Sequence, residues 1–386
     1  MISVDDARSL IEQRCTPISA EPCPLNAVSG RILHEDVVSP EDLPAFSRSA
    51  MDGYLMLAEP ATASLRLAGE ILAGDPPRQP EPGETLRVST GCAVPETGVC
   101  VIRQEDVSVT GNLITVRTKI VAGSSIRQRA SQAARGDVLL ARGIRINPGA
   151  IALLASVGKT HPLVAKPVPV FHISTGREIV DASRTPGFGE IRDSNSPMIA
   201  ALLADQCASL VGHAKLPDDP SQLRATLESP IARNARIILI SGGASVGDHD
   251  HTKECLLATG FDIVFAGVAM KPGKPLLLAQ RGETLAFGLP GNPLSHFVCF
   301  HLFVRHALAS ITGAPPPERF TAPVPHDLRK LQDPRETWWP CRSSPFDLIA
   351  WRDSSDIRHL ASANALVRIP ALADPTHSDN LTGFLL

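Results

Sequence analysis

The chemically most informative segment of the sequence is RIILISGGASVGDHDHTK, residues 236–253. Glycines at a junction between a strand and a helix let backbone N–H groups approach an anion, and a helix N-terminus favours negative charge. The spacing is neither that of a P-loop nor that of a dinucleotide-binding fingerprint. The segment predicts an anion-binding loop, with a plain strand-to-helix turn as the alternative. The candidate binding residues are Ser241, Gly242, Gly243, Ser245 and Gly247.

A histidine-rich tripeptide, His249-Asp250-His251, follows this loop. Adjacent residues on a helix do not face one another, so the three side chains are poorly placed to bind one metal ion together. A carboxylate beside a phosphate-binding loop usually meets the phosphate through a divalent cation, and hard oxygen ligands suit Mg²⁺. Asp250 is therefore the favoured functional residue of the three.

Two lysines stand three residues apart in Lys271-Pro272-Gly273-Lys274-Pro275. The rigid prolines and the flexible glycine hold a loop that presents two ammonium groups to an anion. Apolar runs on both sides place the loop between buried strands. That placement favours anion binding over the alternative of ordinary solvated lysines.

Three further junctions, at residues 174–178, 192–196 and 289–295, combine small and polar residues, with glycine in the first and the third, at predicted strand or helix ends. In LPGNPLS, Asn292 is the expected N-cap and Pro293 the first helical residue, so capping alone would explain it. Capping also suffices for the segment 192–196, and a turn suffices for Asp218. Loops after neighbouring parallel strands meet at the sheet edge where α/β folds bind ligands. Together they predict a site for a phosphate-bearing ligand, formed by Ser174, Thr175, Gly176, Asp193, Ser194, Asn195, Pro290, Gly291, Asn292 and Pro293.

Strands and helices that alternate from about residue 166 must position these loops. The expected strands are 168–173, 236–240 and 285–288, and the expected helices are 196–207, 252–259 and 293–311. This alternation predicts a mainly parallel sheet with helices on both faces. Residues 46–130 and the tail after Pro317 read as β structure, because short apolar runs alternate with turn residues. Two further helices are expected at 3–14 and from Pro148 onward.

Composition restricts the function classes. The chain has 386 residues, of which 43% are apolar and 20% charged, as in a globular protein of several domains. A net charge of −3 and 4% aromatic residues argue against nucleic-acid binding. The longest apolar stretch has about eleven residues, where a membrane span needs about 20. The N-terminus does not resemble a signal peptide, so a cytoplasmic protein that binds no membrane is expected.

Seven motifs occur in a fixed order between residues 49 and 293: SAMDGY, TGCAVP, STGREI, IRDSNS, SGGASVGDHDHTK, MKPGKP and LPGNP. Together they resemble the molybdopterin molybdenumtransferases of the MoeA type and the C-terminal E domain of gephyrin. The segment ANALVRIP, residues 363–370, extends the resemblance over nearly the whole chain.

The resemblance implies an enzyme of molybdenum cofactor biosynthesis. Such a transferase inserts molybdenum from molybdate into adenylyl-molybdopterin and releases AMP, with Mg²⁺ as the metal ion. It also implies a cytoplasmic homodimer. Molybdopterin adenylyltransferase and the proteins that mature molybdenum enzymes are the candidate partners.

The implied architecture is multidomain α/β plus β. Residues 1–43 with 130–166 would form a discontinuous N-terminal dimerisation and linker domain, with a β-rich domain inserted at 44–129. Residues 167–315 would form the molybdopterin-binding α/β domain, similar to MogA, and 316–386 a small β-barrel-like domain.

The resemblance also carries functional residues onto this sequence. The matched catalytic positions are Asp52, Thr90, Glu178, Asp218, Asp250, Lys271 and Lys274, and the implied Mg²⁺ ligands are Asp250 and Asp52. The carboxylates would hold the cation, and the lysines would bind phosphate or molybdate oxygens. Replacement of Asp250 by Asn is therefore expected to abolish turnover while leaving the fold intact.

The chain departs from the family pattern at Arg177, His251 and Gly267. Gly267 stands where many members carry a basic residue, four positions before Lys271, which leaves a non-catalytic carrier or scaffold of the same fold as an alternative. Nucleotidyl transfer by the α/β domain alone is a third hypothesis. The motif around Asp52 argues against it, because such a transferase would not need that segment.

Overall fold

The computed structural model describes residues 1–59, 64–242, 251–325, 328–372 and 380–386. The chain divides into two compact units. The large unit contains Met1–Glu35, Gly143–Pro148 and His161–Leu386, and the small unit contains Asp36–Arg142 and Gly149–Thr160. The four domain boundaries expected from the sequence stay predictions.

A six-stranded central sheet organises the large unit. Its order across the sheet is Ala208–Leu216, Val168–Thr175, Ile237–Ser241, Thr284–Leu289, Leu277–Arg281 and Asp262–Ala266. The first four strands run parallel and the last two are antiparallel to their neighbours. The predicted mainly parallel sheet is therefore confirmed.

The two faces of the central sheet pack against different helices, because side chains alternate along each strand. Ile237 and Leu239 face one apolar cluster, which also holds Val4 and Ile11 of the N-terminal helix and much of the long helix after Pro293. Alternate residues of the same strand face a second cluster on the other side. The predicted arrangement of helices on both faces is thus present.

The helices begin at residues that favour helix initiation. Ser3 and Asp6 form a capping box, and Asp219 and Ser229 each accept a backbone hydrogen bond just before a proline. The α-helices of the large unit are Val4–Arg14, Asn195–Ala204, Pro220–Leu227, Pro230–Asn234, Thr252–Ala258, Pro293–Cys299, Arg305–Thr312 and Leu328–Leu331. A π-helical turn, Phe300–Val304, joins two of them, and Leu360–Ser362 is a 3₁₀ turn.

The helical run Pro293–Thr312 has 20 residues, and its length and apolar composition alone would allow it to cross a membrane. Its most apolar window is 72% buried inside the protein, which is typical of a core helix. It ends at Gly313, whose φ of 70° is left-handed, as expected for a glycine at a helix C-terminus.

The C-terminal part of the large unit forms a second sheet, here called the C-terminal sheet. Its order is Met270–Lys271, Glu336–Ser343, Ala365–Ile369, Asn380–Leu385 and Arg319–Pro323, with Phe346–Leu348 beside Glu336–Ser343. Lys271 pairs with Thr337 in a parallel bridge, so the lysine loop begins within this sheet. Two short pairs complete the large unit: Ala20–Pro22 with Leu163–Ala165, and Ile179–Val180 with Ile191–Arg192.

The small unit is β-rich, as predicted. Its sheet has the order Val99–Arg103, Gly53–Leu57, Glu84–Val88, Ser64–Ile71, Leu113–Val116 and Val107–Thr110. Apolar clusters cover both faces. Two short pairs lie beside it: Ile126–Arg127 with Arg48–Ser49, and Val138–Leu140 with Val37–Val38. Gln104–Asp106 is a 3₁₀ turn, and the helix Pro148–Ser156 begins at the predicted proline.

Candidate functional site

A cleft of about 860 Å³ opens in the large unit between the carboxyl ends of the parallel strands and the C-terminal sheet. One wall, here called the strand-end wall, consists of Thr175, Gly176, Glu178, Asp218, Gly242, Pro290, Gly291, Asn292 and Ser295. The opposite wall, here called the C-terminal wall, consists of Leu331, Gln332, Arg335, Trp339, Trp351, Arg352, Asp353 and Ser354. The loop from Lys271 to Pro275 also lines the cleft.

Glycines let the backbone segments of the strand-end wall approach one another closely. Gly242 has a φ of +89°, and a Cβ there would lie 2.6 Å from the carbonyl oxygen of Thr175. A Cβ on Gly291 would lie 3.8 Å from the Cα of Gly242. The junctions at Thr175, Gly242 and Gly291 therefore meet at one place, as the sequence predicted for loops after neighbouring strands.

Ser174 and Ser241, two predicted ligand-binding residues, are buried behind this wall and do not line the cleft. The Ser241 hydroxyl lies 2.6 Å from Nε2 of His172, and Ser174 Oγ lies 3.3 Å from Nε2 of His213. The two imidazole rings stack at 4.9 Å. Burial, followed by the nearby His213, lowers the pKa of His172 to about 3, so His172 is neutral near pH 7. These hydroxyls hold neighbouring strands in place.

Asp193 and its neighbours support the wall from the helix that follows. The Asp193 carboxylate accepts hydrogen bonds from the Ser196 N–H at 2.9 Å and from its hydroxyl at 2.6 Å. Ser194 occupies the N-cap position without a side-chain cap bond. Asn195 Nδ2 donates to the Gly291 carbonyl at 2.8 Å, which fixes that loop.

Asn292 is the N-cap residue of its helix, as predicted, but its side chain makes no cap hydrogen bond. Its Nδ2 instead donates to Ser354 Oγ at 2.6 Å and connects the two walls of the cleft. Pro293 is the first residue of the helix, as predicted.

Two predicted carboxylates, Glu178 and Asp218, line the strand-end wall, and both are exposed. Asp218 accepts a long hydrogen bond of 3.3 Å from the Arg177 N–H. The next residue, Asp219, instead caps a helix, and hydrogen bonds from the Ser221 hydroxyl and N–H lower its pKa. The structure therefore separates a cleft aspartate from an adjacent structural one.

Lys271 and Lys274 both line the cleft. Lys271 Nζ lies 3.1 Å from Asp333 Oδ2 and 5.9 Å from the ring centre of Trp351. Gly273, with a φ of +108°, packs so closely that a Cβ would lie 2.6 Å from Cys299 Sγ. The loop is thus held against the protein at Lys271 and at Gly273.

Asp333 is a residue that the sequence reasoning missed. Its side chain is 15% exposed and also pairs with Arg335 at 3.1 Å. Burial acts to raise its pKa, but hydrogen bonds from the Arg335 N–H and from Lys271 lower the pKa below the usual value. Asp333 is therefore ionised near pH 7 and fixes Lys271 from the C-terminal side.

The rest of the C-terminal wall was also missed. Trp339 and Trp351 have ring centres 5.1 Å apart, and the indole N–H of Trp339 donates to the Ile349 carbonyl at 2.8 Å. The only signal in the sequence was that all three tryptophans fall in the tail. This wall offers aromatic faces and the guanidinium groups of Arg335 and Arg352.

In the small unit, the structure brings together two motifs that the sequence had left apart. Oδ1 of Asp52 accepts hydrogen bonds from the Thr90 N–H at 2.6 Å and from the Thr90 hydroxyl at 3.1 Å. These bonds lower the pKa of Asp52. Asp52 is therefore an exposed, ionised carboxylate that the turn at Thr90 holds in place.

The remaining site predictions, Gly243, Ser245, Gly247 and Asp250, lie outside the described residues. Within the parts of the chain that the structure describes, no group of three or more histidine, cysteine or acidic side chains is placed to hold a metal ion. The assignment of Asp250 and Asp52 as Mg²⁺ ligands stays a prediction.

Comparison with known proteins identifies the family. Residues 2–158 match the MoeA N-terminal region (domain I and II), and residues 172–310 match a probable molybdopterin binding domain. A molybdopterin molybdenumtransferase of Haemophilus influenzae is 32% identical over 338 residues, which cover 86% of this chain and 83% of the relative. The chain belongs to the MoeA family of molybdopterin molybdenumtransferases.

Two further matches agree with this family. A gephyrin of Dictyostelium discoideum is 32% identical over 81% of this chain and 50% of its own length. The crystal structure of the molybdopterin biosynthesis MoeA protein from Pyrococcus horikoshii superposes with a TM-score of 0.82 at 27% identity and covers 100% of both chains. The predicted family, and with it the assignment as a transferase of molybdenum cofactor biosynthesis, is confirmed.

Gly267, the main departure from the MoeA pattern, has a structural explanation. Its φ is +92°, a left-handed conformation that L side chains rarely adopt, and a Cβ would lie 3.4 Å from Met1 Cγ. Its N–H donates to the Leu276 carbonyl at 2.8 Å, and it is not among the residues that line the cleft. This backbone conformation therefore favours glycine.

Proposed function

We propose that this protein inserts molybdenum from molybdate into adenylyl-molybdopterin and releases AMP. The observation that carries the proposal is the cleft itself. It places the close-packed backbone junctions of the strand-end wall opposite a paired-lysine loop and an aromatic, arginine-bearing wall. Membership of the MoeA family supports this reaction over others that the same cleft chemistry would allow.

The strand-end wall suits a phosphate group. Gly242 and Gly291 leave no side chain between the backbone and a ligand, so oxyanions can approach closely. Lys271 and Lys274 add two positive charges on a fixed loop. Charge that develops on phosphate oxygens during cleavage of the phosphoanhydride is stabilised best by cations already in position.

Glu178 and Asp218 are suited to a divalent cation. Both are exposed carboxylates on the same wall, and hard oxygen ligands are what Mg²⁺ binds in proteins. When bound, Mg²⁺ would neutralise part of the negative charge of the phosphoanhydride. We propose that these two residues join Asp250 as candidate ligands, while Asp52 stays a candidate from the small unit.

The C-terminal wall suits a planar heterocycle. Trp351 and Trp339 present aromatic faces, and pterin and adenine are both planar rings. Arg335 and Arg352 add positive charge next to these faces. The wall therefore complements both the ring systems and the phosphates of an adenylylated pterin.

The alternative of a non-catalytic carrier depended on Gly267. Because the backbone conformation accounts for this glycine, it no longer favours a carrier over an enzyme. We further propose a cytoplasmic homodimer that exchanges intermediates with molybdopterin adenylyltransferase and with proteins that mature molybdenum enzymes.

The deciding experiment measures AMP release from adenylyl-molybdopterin by the purified protein with Mg²⁺, with and without molybdate. We expect release that requires molybdate and yields active molybdenum cofactor. Tight binding of the substrate without AMP release would show a carrier instead. The Asp52→Asn variant in the same assay tests the small-unit pair, with the exposed residue Asp36 replaced by Asn as a control.

A further inference from the structure

A second pocket of the large unit, distinct from the cleft, is lined by an unusual concentration of basic side chains. Arg8, His301, Arg305, His306 and Arg319 all face it. The remaining lining residues are apolar, and the cavity measures about 40 Å³. A volume of about 10–15 Å³ admits one water, so this pocket has room for a small polyatomic ligand.

Several nitrogen atoms around the pocket have no hydrogen-bond partner. Both ring nitrogens of His301, Nε2 of His306 and Nε of Arg8 are buried and unpartnered. His301 is only 7% exposed. Buried polar groups are nearly always hydrogen-bonded, and leaving one unpaired costs about 1–3 kcal/mol. Nε of Arg8 and one ring nitrogen of neutral His301 are N–H donors, so a bound group that supplies acceptors would satisfy them.

The positive charge around the pocket is only partly offset by acidic side chains. Asp5 and Glu12 lie on the same helix as Arg8, but no ion pair joins an acidic side chain to Arg8, Arg305 or Arg319 within the described ranges. Arg305 instead donates to the Leu385 carbonyl at 2.9 Å. The strand Asn380–Leu385 thus offers Arg305 a neutral acceptor and no negative charge.

Burial is the main cause of the lowered pKa values of the pocket residues, and nearby positive charge adds to it. Burial, followed by the nearby Arg305, lowers the pKa of His301 to about 3. Burial lowers the pKa of Arg8, opposed by Asp5 and reinforced by Arg319, and burial and Arg8 lower that of His306. A negative charge in the cavity would oppose this lowering of the pKa values.

We propose that this pocket binds a small tetrahedral oxyanion, such as inorganic phosphate or sulfate. Such an ion carries acceptors in several directions, which suits donors on two elements, the N-terminal helix and the helical run Pro293–Thr312. Arg319 is exposed and would admit the ion from solvent, whereas His301 lies inside. Arginine forms paired hydrogen bonds with oxyanions, which favours an oxyanion over a halide.

The test follows the unfolding temperature of the full-length protein while sulfate, and separately phosphate, replaces chloride at constant ionic strength. A ligand that binds only the folded state gives a saturable rise in stability, whereas the general effect of sulfate does not saturate. We expect a saturable rise with both anions. In Arg319→Gln the apparent affinity should fall about tenfold, the loss expected for a hydrogen bond to a charged group.

Two control variants locate the binding. Lys274→Gln removes a cation from the cleft, and Arg342→Gln removes an exposed arginine from the C-terminal sheet; both should keep the saturable rise. His301→Gln provides a second pocket variant and should weaken binding as Arg319→Gln does.

Three results would overturn the proposal. One is a rise that Lys274→Gln abolishes and both pocket variants retain, because the anion then binds the cleft alone. A second is the lack of any saturable rise. A third is a stability that depends on protein concentration and not on the anion, which would show that an acidic group of a second copy occupies the pocket.

Discussion

The two walls of the cleft are built in different ways. The strand-end wall is made by backbone segments that approach one another closely, and the glycines Gly242 and Gly291 permit this approach. The C-terminal wall is made by long side chains, among them Arg335 and Trp351. A single added methyl group can disrupt the close backbone packing of the first wall, whereas a substitution in the second wall removes only the contacts of one side chain. The two walls should therefore respond to mutation with very different severity.

The largest effect is expected for Gly242→Ala. The new Cβ would lie 2.6 Å from the Thr175 carbonyl oxygen, at a φ of +89°. We expect a free energy of unfolding lower by at least about 2 kcal/mol and AMP release close to background. Chemical denaturation and the AMP assay measure both quantities.

The matched control for this variant is Gly282→Ala. Gly282 also has a positive φ, of +58°, but nothing lies within 4 Å of its Cβ position. Gly282→Ala should lose only the free energy of unfolding that the strained backbone costs, and it should release AMP at the wild-type rate. If Gly242→Ala were as active as this control, the strand-end wall would not depend on close backbone approach.

Lys271→Gln should have the second-largest effect. Lys271 is one of the two cations on the loop between the walls. Removal of one preorganised group that stabilises developing charge costs about 100-fold in turnover. Steady-state AMP release checks this, with the exposed Lys119→Gln as a control that should match the wild type. Turnover within a factor of about two of wild type would remove Lys271 from the chemistry.

The contrast between the walls also explains what the sequence could predict. Gly242 and Lys271 were predicted because each lies in a short motif whose local geometry follows from residue type. Asp333 and Trp351 were not, because their contacts to Lys271 depend on the parallel pairing of Met270–Lys271 with Glu336–Ser343. Contacts between segments so distant in the chain leave no local pattern.

Local signals were also ambiguous within the fold. The helix at Val4–Arg14 was predicted from its cap, and the buried strand Ile237–Ser241 from its apolar run. The strand Ala208–Leu216 was missed, because it lies at the sheet edge and no residue in it is fully buried. Asn292 is the N-cap residue that the sequence predicted, but its side chain bonds to Ser354 and not to the helix backbone, a tertiary contact that no local pattern indicates.

Asp333→Asn separates positioning from charge within the C-terminal wall. Without the carboxylate, Lys271 loses its partner at 3.1 Å, and we expect kcat to fall about tenfold with little change in KM. The folded protein lowers the pKa of Asp333, so the stability that this group contributes is present above about pH 4 and is lost as pH falls through the lower folded-state pKa.

The stability difference between wild type and Asp333→Asn should therefore shrink as the solution is acidified from pH 6 to pH 3. Asp347→Asn, which breaks an exposed ion pair with Arg342 in the same sheet, should leave kcat unchanged. A constant stability difference across this range, together with an unchanged kcat, would contradict the positioning role.

The smallest effect is expected at Trp351, where the C-terminal wall offers only an aromatic face. Aromatic stacking contributes about 0.5–1.5 kcal/mol, so Trp351→Leu should raise KM for adenylyl-molybdopterin about threefold to fivefold and leave kcat nearly unchanged. Trp351→Phe keeps a ring and should recover most of the affinity. An equal rise of KM in both variants would show that the indole packs against Trp339 and Lys271 as structure and does not contact the ligand. A large fall in kcat in Trp351→Leu would instead mean that the side-chain wall is as sensitive as the backbone wall, and the contrast between the two would fail.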